Sequence, residues 1–258
     1  MDEDVEAAVP VEDLGDDTVA NYLARRPANK RAVYQIAVRD LARAQAALAQ
    51  LPEGSVVAGR AFDEDLLHWE IEHFREWALD ARGIVLPPDA RATFDAIATR
   101  LARRVAALPR GFTHRDYQSR NLMVVTGPDD APAGLCWIDF QDALLGPRAY
   151  DLVALLSDSY QQFDREFIEE RLDEFAAHAG LDAAGRADLG REFDLVTVQR
   201  KLKDAGRFVF IDRVKKNPSF LPFVEPTIAK ARAAMDRLAA DDQDMRALGA
   251  LVDRALSR

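Results

Sequence analysis

The 258-residue sequence contains a single cysteine, Cys136, so it can form neither an internal disulfide nor a cysteine-based metal cluster. It also lacks the long uncharged apolar run that a membrane-spanning helix requires. The first six residues read M-D-E-D-V-E, which is acidic and has no apolar core segment, unlike a signal peptide. These absences predict a cytoplasmic protein without a membrane partner.

Basic side chains are also in the minority. The chain has 34 Lys and Arg residues against 44 Asp and Glu residues, which gives a formal net charge of -10. A nucleic-acid partner or an anionic membrane would favour a basic surface, so we expect neither. The hydrophobic share of 48% and the charged share of 30% are ordinary for a soluble globular protein with a sizeable core.

The stretch most informative about function is H-R-D-Y-Q-S-R-N at residues 114–121, here called the catalytic loop. It fits the pattern H-R-D-x-x-x-x-N of phosphoryl-transfer enzymes at every specified position. Asp116 suits a carboxylate beside the attacking hydroxyl. Asn121 and Asp139, which follows an apolar run, supply the oxygen ligands that Mg²⁺ prefers.

Polar turns offer an alternative interpretation of the same residues. Asp and Asn often bond their own backbone in turns, and a lone Asp at a strand end commonly caps a turn or helix. Here the two stretches occur in order, separated by an apolar strand at 122–125 and a G-P-D-D turn at 127–130. This arrangement favours catalysis over turn chemistry.

Longer stretches around these residues resemble a known superfamily. H-R-D-Y-Q-S-R-N-L-M-V and W-I-D-F-Q-D-A-L-L-G-P-R-A-Y-D-L-V-A-L-L are similar to the aminoglycoside phosphotransferases and choline kinases. Within that superfamily the chain looks most like the bacterial cell-wall sugar kinases that phosphorylate N-acetylmuramate and N-acetylglucosamine at the anomeric position. Three further stretches agree: V-E-D-L-G-D at 11–16, H-W-E-I-E-H-F-R-E-W at 68–77 and Q-R-K-L-K-D-A-G-R-F at 199–208.

The resemblance implies ATP and Mg²⁺ as cofactors and a small-molecule sugar as the substrate. Asp116 would orient the hydroxyl and accept its proton, and Asn121 and Asp139 would bind Mg²⁺. A hinge strand between two lobes would bond adenine through its backbone, which corresponds here to Glu12, Asp13 and Leu14. The alternative for this stretch is a helix entry, since residues 15–18 supply cap residues. Both readings are compatible.

The family's small N-terminal lobe, with its phosphate-covering loop and strand lysine, has no counterpart in this sequence. No G-x-G-x-x-G occurs, and no lysine lies in a V-A-I-K-like strand. We therefore expect the larger C-terminal lobe: an α+β, protein-kinase-like fold, mostly helical, with a small β-hairpin carrying the catalytic loop. Self-association through an uncovered hinge edge is a further expectation.

Two alternatives to an amino-sugar kinase remain open. One is an inactive remnant lobe or pseudokinase that serves as a binding module, and the other is a related kinase acting on aminoglycosides, choline or homoserine. A protein kinase is disfavoured, because no long activation segment follows Asp139.

The predicted organisation divides the chain in two. Residues 1–10 form a loose acidic N-terminus, and residues 11–258 form the kinase-like lobe. That lobe would consist of a hinge-like strand, a helical region, the catalytic hairpin and a second helical region, at 11–16, 17–110, 111–140 and 141–258 respectively.

Several further residues are candidates for the substrate cleft. The resemblance places the predicted helix over 63–81 beside the cleft, although we favour Trp69 as a core residue and Glu70 as a solvated charge. Arg115 and Arg120 either face phosphate or substrate or pair with local carboxylates. The cleft-lining candidates after the metal motif are Gln141 and Asp142.

Other polar residues are predicted to be structural. We expect the His114 ring to be hydrogen-bonded beneath the catalytic loop and Asp151 to act as a helix N-cap. Arg200, Lys201 and Lys203 form a small basic cluster. It could contact an anionic sugar such as a lactyl ether, but a solvated helix face is the preferred interpretation.

Overall fold

The computed structural model describes residues 12–257, an α+β arrangement in which helices greatly outnumber strands. None of these helices is long and apolar enough to cross a bilayer. Their bounds are Val19–Arg25 (α1), Lys30–Ala47 (α2), Glu64–His73 (α3), Pro88–Ala106 (α4), Tyr150–Leu156 (α5), Arg165–His178 (α6), Ala183–Lys215 (α7), Val224–Leu238 (α8) and Gln243–Leu256 (α9).

Helix α3 begins as the sequence predicts and ends differently. The Asp63 side chain caps it by accepting a hydrogen bond from the Leu66 N–H at 2.8 Å. The α-helix then gives way to a π-helical segment at Phe74–Leu79 and a 3-10 turn at Asp80–Arg82, so the single helix predicted over 63–81 is wrong in its second half. The change of register occurs where α7 crosses.

Helix α7 is the central element of the molecule. Its 33 residues correspond to about 50 Å of helix, and it packs against α3, α4, α5, α6 and α8. It is buried around most of its circumference, including polar side chains such as Gln199 and Arg200. The hydrophobic core therefore surrounds α7 rather than lying along one side of it.

The strands form two separate antiparallel pairs. Leu122–Thr126 (β2) pairs with Pro132–Trp137 (β3) as the predicted hairpin. Arg110–Thr113 (β1) pairs with Leu144–Pro147 (β4). The prediction of a purely helical region after residue 141 is therefore wrong at β4. Its partner lies about 30 residues earlier in the chain, so no local pattern could indicate the pairing.

This topology places the catalytic loop between the two strand pairs. The loop leaves β1, which is held by β4, and enters β2, which is held by β3. The predicted hinge-like strand over 11–16 is not found: residue 11 lies outside the described residues, and residues 12–16 form no strand. Pairing begins just beyond, where Thr18 bridges Met123 and the Val124 N–H donates to the Asp17 carbonyl at 2.8 Å.

Candidate active site

The catalytic loop is fixed at its start by Asp151. This fully buried carboxylate accepts hydrogen bonds from the backbone N–H of His114 at 2.6 Å and of Arg115 at 3.0 Å. Asp151 lies inside α5 and does not cap it, so the predicted N-cap role is wrong. Asp151 instead anchors the start of the catalytic loop. Burial raises the pKa of Asp151 to about 7, against the opposing effect of these donors and of Arg200.

Arg115 has a backbone conformation that bulky residues rarely adopt. Its φ is 76°, in the left-handed region, which costs on the order of 1–3 kcal/mol for such a residue. Its N–H is held by Asp151, and its carbonyl accepts a hydrogen bond from Arg200 Nη1 at 2.7 Å. Charged side chains therefore bind both backbone groups of Arg115, which keeps the strained turn in place beside Asp116.

The second half of the loop has anchors of its own. Asp158 accepts hydrogen bonds from the Ser119 N–H at 3.1 Å and the Ser119 hydroxyl at 2.5 Å. The buried Tyr117 hydroxyl donates to the Ala37 carbonyl on α2 at 2.9 Å. The loop is thus tied to α2 and to the segment following α5, and its reactive side chains project from a rigid support.

Asp116 lies at the surface of this support. Its side chain is 46% exposed, and its Oδ1 lies 3.5 Å from Arg200 Nη2, whose side chain is only 3% exposed. The contact orients the carboxylate while leaving it accessible to a molecule in the neighbouring cleft. A carboxylate in this position can align a hydroxyl group and accept its proton.

Asn121 and Asp139 are brought together as the motif predicts. Asn121 Nδ2 donates to the Asp116 carbonyl at 3.0 Å and lies 3.4 Å from Asp139 Oδ2. The amide nitrogen is therefore engaged, and the amide oxygen is left to act as a ligand. Gln141 Nε2 donates to Asp139 Oδ1 at 2.7 Å. Asp139 itself has a φ of 65°, a conformation that Asp tolerates.

This donor set fits Mg²⁺. Within residues 12–257, no cluster of three or more His, Cys, Asp or Glu side chains could hold a metal. Mg²⁺ does not require such a cluster, because it usually takes one or two protein oxygen ligands together with water and substrate phosphates. One amide oxygen and one carboxylate, as at Asn121 and Asp139, satisfy that requirement.

His114 is buried, as predicted, but it is held by packing. Neither ring nitrogen has a hydrogen-bond partner among the described residues, so the expected hydrogen-bonded ring is not found. The ring instead meets Tyr117 and Trp137 edge-on, with centroids 5.9 and 6.0 Å away. Burial lowers the pKa of His114, which keeps the ring neutral in this apolar environment.

A cleft of about 370 Å³ opens beside Asp116 and is here called the Asp116 cleft. It runs between α3 and α7, and its lining includes Trp69, Glu70, His73, Arg115, Asp142, Tyr150, Ser159, Tyr160, Arg200, Lys203, Asp204, Arg207, Phe208 and Phe220. Of the predicted cleft residues, Trp69, Glu70, Arg115 and Asp142 lie on its wall. Gln141 donates a hydrogen bond to Asp139 and does not line the cleft.

Trp69 and Glu70 have exchanged the roles that we favoured for them. Trp69 is 56% exposed and Glu70 is 2% exposed. Glu70 accepts a hydrogen bond from Gln199 Nε2 at 2.8 Å and lies 3.9 Å from Arg115 Nη2. Glu70, predicted to be solvated, is therefore buried and contacts the catalytic loop. Trp69, predicted to be a core residue, is exposed and presents its indole to the cleft.

The basic cluster on α7 is also not solvated, contrary to the preferred interpretation. Asp204 lies 2.8 Å from Lys201 Nζ, 3.2 Å from Lys203 Nζ and 3.7 Å from Arg200 Nε. Burial acts to raise the pKa of Asp204, but these three charges lower it well below its usual range. The cluster is thus a buried charge network that shapes one wall of the cleft.

Two other predicted residues lie at the edge of this arrangement. The Arg120 guanidinium lies over the Tyr160 ring at 3.7 Å, a cation–π contact that fixes both residues. Asp13 accepts a hydrogen bond from the Gly15 N–H at 2.9 Å, and neither Asp13 nor its neighbours Glu12 and Leu14 line the Asp116 cleft. Their predicted contact with adenine stays a prediction.

Sequence reasoning did not identify the aromatic wall or the far end of the cleft. Tyr160 and Phe220 belong to no motif, and their positions depend on how α7 and the segments beside it pack. His73 lies in the stretch H-W-E-I-E-H-F-R-E-W that supported the family resemblance, but it was not singled out as a cleft residue. Arg207 and Phe208 are a partial exception. They occur in the stretch Q-R-K-L-K-D-A-G-R-F that supported the family resemblance, and a cleft position could have been inferred from it.

Comparison with known proteins agrees with this geometry. A family model described as the phosphotransferase enzyme family, APH, matches residues 14–187, which include the catalytic loop, Asp139 and Asp151. The chain belongs to the phosphotransferase enzyme family. This phosphotransferase-family chain also shares its fold with a choline/ethanolamine kinase family protein from Mesorhizobium loti. The TM-score is 0.55 at 16% identity, covering 92% of this chain and 70% of that one.

Curated relatives of this phosphotransferase-family chain carry one name. An N-acetylmuramate/N-acetylglucosamine kinase from Pseudomonas aeruginosa is 34% identical over 166 residues, which cover 62% of this chain and 47% of the relative. A kinase of the same name from Caulobacter vibrioides is 29% identical over 240 residues, covering 88% of this chain and 66% of the relative. The chain spans about half the length of the Pseudomonas relative and two thirds of the Caulobacter one.

Proposed function

We propose that the protein transfers the terminal phosphoryl group of ATP to a hydroxyl group of an amino sugar, either N-acetylmuramate or N-acetylglucosamine. The observation that carries the proposal is the position of Asp116. It is an exposed carboxylate on a rigid loop, facing a cleft and lying next to Asn121 and Asp139. The names of the curated relatives support the sugar as the acceptor.

Each residue has a defined role in this proposal. Asp116 aligns the acceptor hydroxyl and takes its proton as the oxygen attacks the terminal phosphorus, and ADP leaves. The products are the sugar phosphate, ADP and one proton. Asn121 and Asp139 would hold Mg²⁺, which would neutralise phosphate charge there. The strained Arg115 turn, held by Asp151 and Arg200, sets the position of Asp116.

The electrostatic character of the Asp116 cleft suits a polar acceptor. Basic and acidic side chains both line its wall, and the exposed indole of Trp69 provides an apolar surface. A sugar presents hydroxyl groups at its rim and C–H groups on its faces. Such a molecule can hydrogen-bond to the charged wall and pack on the indole at the same time.

The test is an ADP-release assay with N-acetylmuramate, N-acetylglucosamine, gentamicin and choline as acceptors. We expect transfer to at least one of the sugars. Asp116→Asn should reduce the rate by about 10²–10⁴-fold, because it removes the proton acceptor. Asp129→Asn is the matched control, because Asp129 lies in the exposed β2–β3 turn of the same hairpin.

Two outcomes would contradict the proposal. Transfer to gentamicin or choline and to neither sugar would indicate a related kinase of different specificity. Sugar binding without transfer, together with no binding of nucleotide, would indicate a binding module. An unchanged rate in Asp116→Asn would remove Asp116 from the mechanism.

A further inference from the structure

The charged groups of the Asp116 cleft are not equally engaged. Arg115 lies 3.9 Å from Glu70, Arg200 lies 3.5 Å from Asp116, and Lys203 lies 3.2 Å from Asp204. Each of these cations therefore has a carboxylate partner, and each of these carboxylates is neutralised by a cation. These paired groups therefore contribute little net electrostatic attraction for a charged ligand.

Arg207 is different. It is an exposed side chain on the wall of the cleft and makes no ion pair among residues 12–257. Its guanidinium lies over the Phe210 ring at 4.9 Å, and its charge acts on His73, whose pKa is lowered chiefly by burial and further by Arg207. The His73 ring in turn packs at a tilt against Trp69, with centroids 4.4 Å apart. Arg207 thus supplies a positive charge without an ion-pair partner among the described residues, next to the Phe210 ring.

The place of Arg207 along α7 sets its distance from the reaction centre. It follows Arg200 by seven residues, which is two helical turns, so both project from the same face. At a rise of about 1.5 Å per residue the two lie roughly 10 Å apart along the helix axis. Arg200 contacts Asp116, so Arg207 marks the opposite end of the cleft.

The acidic side chains at the Asp116 end of the cleft also favour an anionic group at the Arg207 end. Asp116 lies at the expected position of the acceptor hydroxyl, and a further exposed carboxylate, Asp142, also lines the cleft. A second negative group on the acceptor would be repelled there and attracted to the far end. The cleft therefore discriminates between the two ends of a molecule that has a hydroxyl group at one side and an acid group at the other.

We propose that Arg207 binds a carboxylate on the acceptor and so makes the cleft selective for an acidic amino sugar over its neutral counterpart. This inference rests on the proposed function and goes beyond it. Of the two sugars in the names of the relatives, N-acetylmuramate carries such an acid, on a lactyl ether, and N-acetylglucosamine does not. Arg207 is a specificity residue: it contacts the acceptor without taking part in the transfer.

The experiment compares acceptors that differ only in this charge. N-acetylmuramate, its neutral methyl ester and N-acetylglucosamine are tested with wild type and with Arg207→Gln, both by ADP release and by quenching of tryptophan fluorescence. A hydrogen bond to a charged group is worth about a tenfold to hundredfold change in affinity. We expect Arg207→Gln to lower kcat/KM for N-acetylmuramate by that factor, mainly through KM. Its effect on the two neutral sugars should be less than about threefold.

Two control variants sharpen the result. Arg207→Lys retains the charge and should restore part of the preference for the acid, although it cannot form a bidentate contact. Arg213→Gln removes an exposed arginine from the same helix, outside the cleft and paired with Asp212 at 3.6 Å, and should change nothing.

The outcomes separate this inference from the proposed function. If wild type phosphorylates the acid and the ester equally well and Arg207→Gln behaves like wild type, the role of Arg207 is refuted while sugar phosphorylation stands. If no transfer occurs, fluorescence still decides, because the acid should bind more tightly than the ester to wild type alone. Tighter binding of choline than of any of the sugars would overturn both.

Discussion

Asp151 shows how one buried side chain can control a catalytic loop. Its carboxylate holds two consecutive N–H groups at the start of the loop, and Arg200 holds the next carbonyl. The ionised form can accept both bonds, one at each oxygen. Protonation converts one accepting oxygen into a donor that faces an N–H group, so the loop should be held less firmly in the protonated form.

The pKa of about 7 places this change within the accessible pH range. We expect kcat to fall as pH decreases through about 7, because the loop loses part of its anchor. In Asp151→Asn this acid limb should disappear, and the rate should be lower by about tenfold or more at all pH values. The measurement is a pH–rate profile of both proteins. An acid limb that persists unchanged in the variant would assign the titration to another group.

Stability should respond to pH in the opposite direction. The pKa of Asp151 is raised from 3.8 in the unfolded chain to about 7 in the folded one, so folding favours the protonated form. Its contribution to the free energy of unfolding is fully present below pH 3.8. It is lost progressively as pH rises from 3.8 to about 7, by up to about 4 kcal/mol in total. Urea titrations of wild type and Asp151→Asn between pH 5 and 8 would measure the difference.

At the scale of elements, the approach of α3 to α7 decides the width of the Asp116 cleft. The contact is closest at Gly206, where an added Cβ would lie 2.2 Å from the His73 carbonyl oxygen and 2.9 Å from the Phe74 nitrogen. These are backbone atoms that cannot rotate away. The π-helical segment begins at the same point, which explains why α3 does not continue as a regular helix.

Gly206→Ala should therefore push the two helices apart. We expect a loss of about 1–3 kcal/mol in the free energy of unfolding, as is typical of overpacking, together with a higher KM for the acceptor. Gly190→Ala is the matched control on the same helix. There the added methyl meets only the flexible end of Arg186 at 3.3 Å, and the better helix propensity should stabilise the protein by about 0.5–1 kcal/mol. Equal effects of the two variants would argue against a special role for the Gly206 contact.

For the molecule as a whole, the proposed function requires that the folded protein bind nucleotide, whereas the unfolded chain has no assembled site for it. A ligand that binds only the folded state, at a hundred times its dissociation constant, adds about 2.7 kcal/mol of stability. Thermal unfolding with and without MgATP tests this property. We expect an upward shift in wild type that is reduced in Asp139→Asn, a substitution that the left-handed backbone at this position tolerates.

The contrary result is also informative. No shift at millimolar MgATP would favour the remnant-lobe alternative, in which the motif is present without nucleotide binding. An equal shift in wild type and Asp139→Asn would indicate nucleotide binding that does not depend on the metal site. Repeating the measurement with MgADP and with ATP plus a chelator would test directly whether nucleotide binding depends on the metal.

The candidate reacting groups were recognisable from the sequence. The order H-R-D-x-x-x-x-N, an apolar strand, a turn and a second strand ending near Asp139 is local, and local spacing alone predicted that Asp116, Asn121 and Asp139 would meet. The mostly helical α+β fold was also predicted from the sequence, and the structure confirms it. The family resemblance rested on these short-range patterns too.

The identity of the side chains that line the Asp116 cleft depends on how the helices pack, and it could not be predicted from the sequence. Trp69 and Glu70 are neighbours on one helix, and their burial depends on where α7 crosses that helix, which no local pattern encodes. The pairing of β4 and the role of Asp151 likewise depend on partners more than 30 residues away in the sequence. The burial of the α7 cations Arg200 and Lys201 depends on the several elements that pack around this helix. Periodicity identifies the faces of an element, whereas packing selects the element that covers each face.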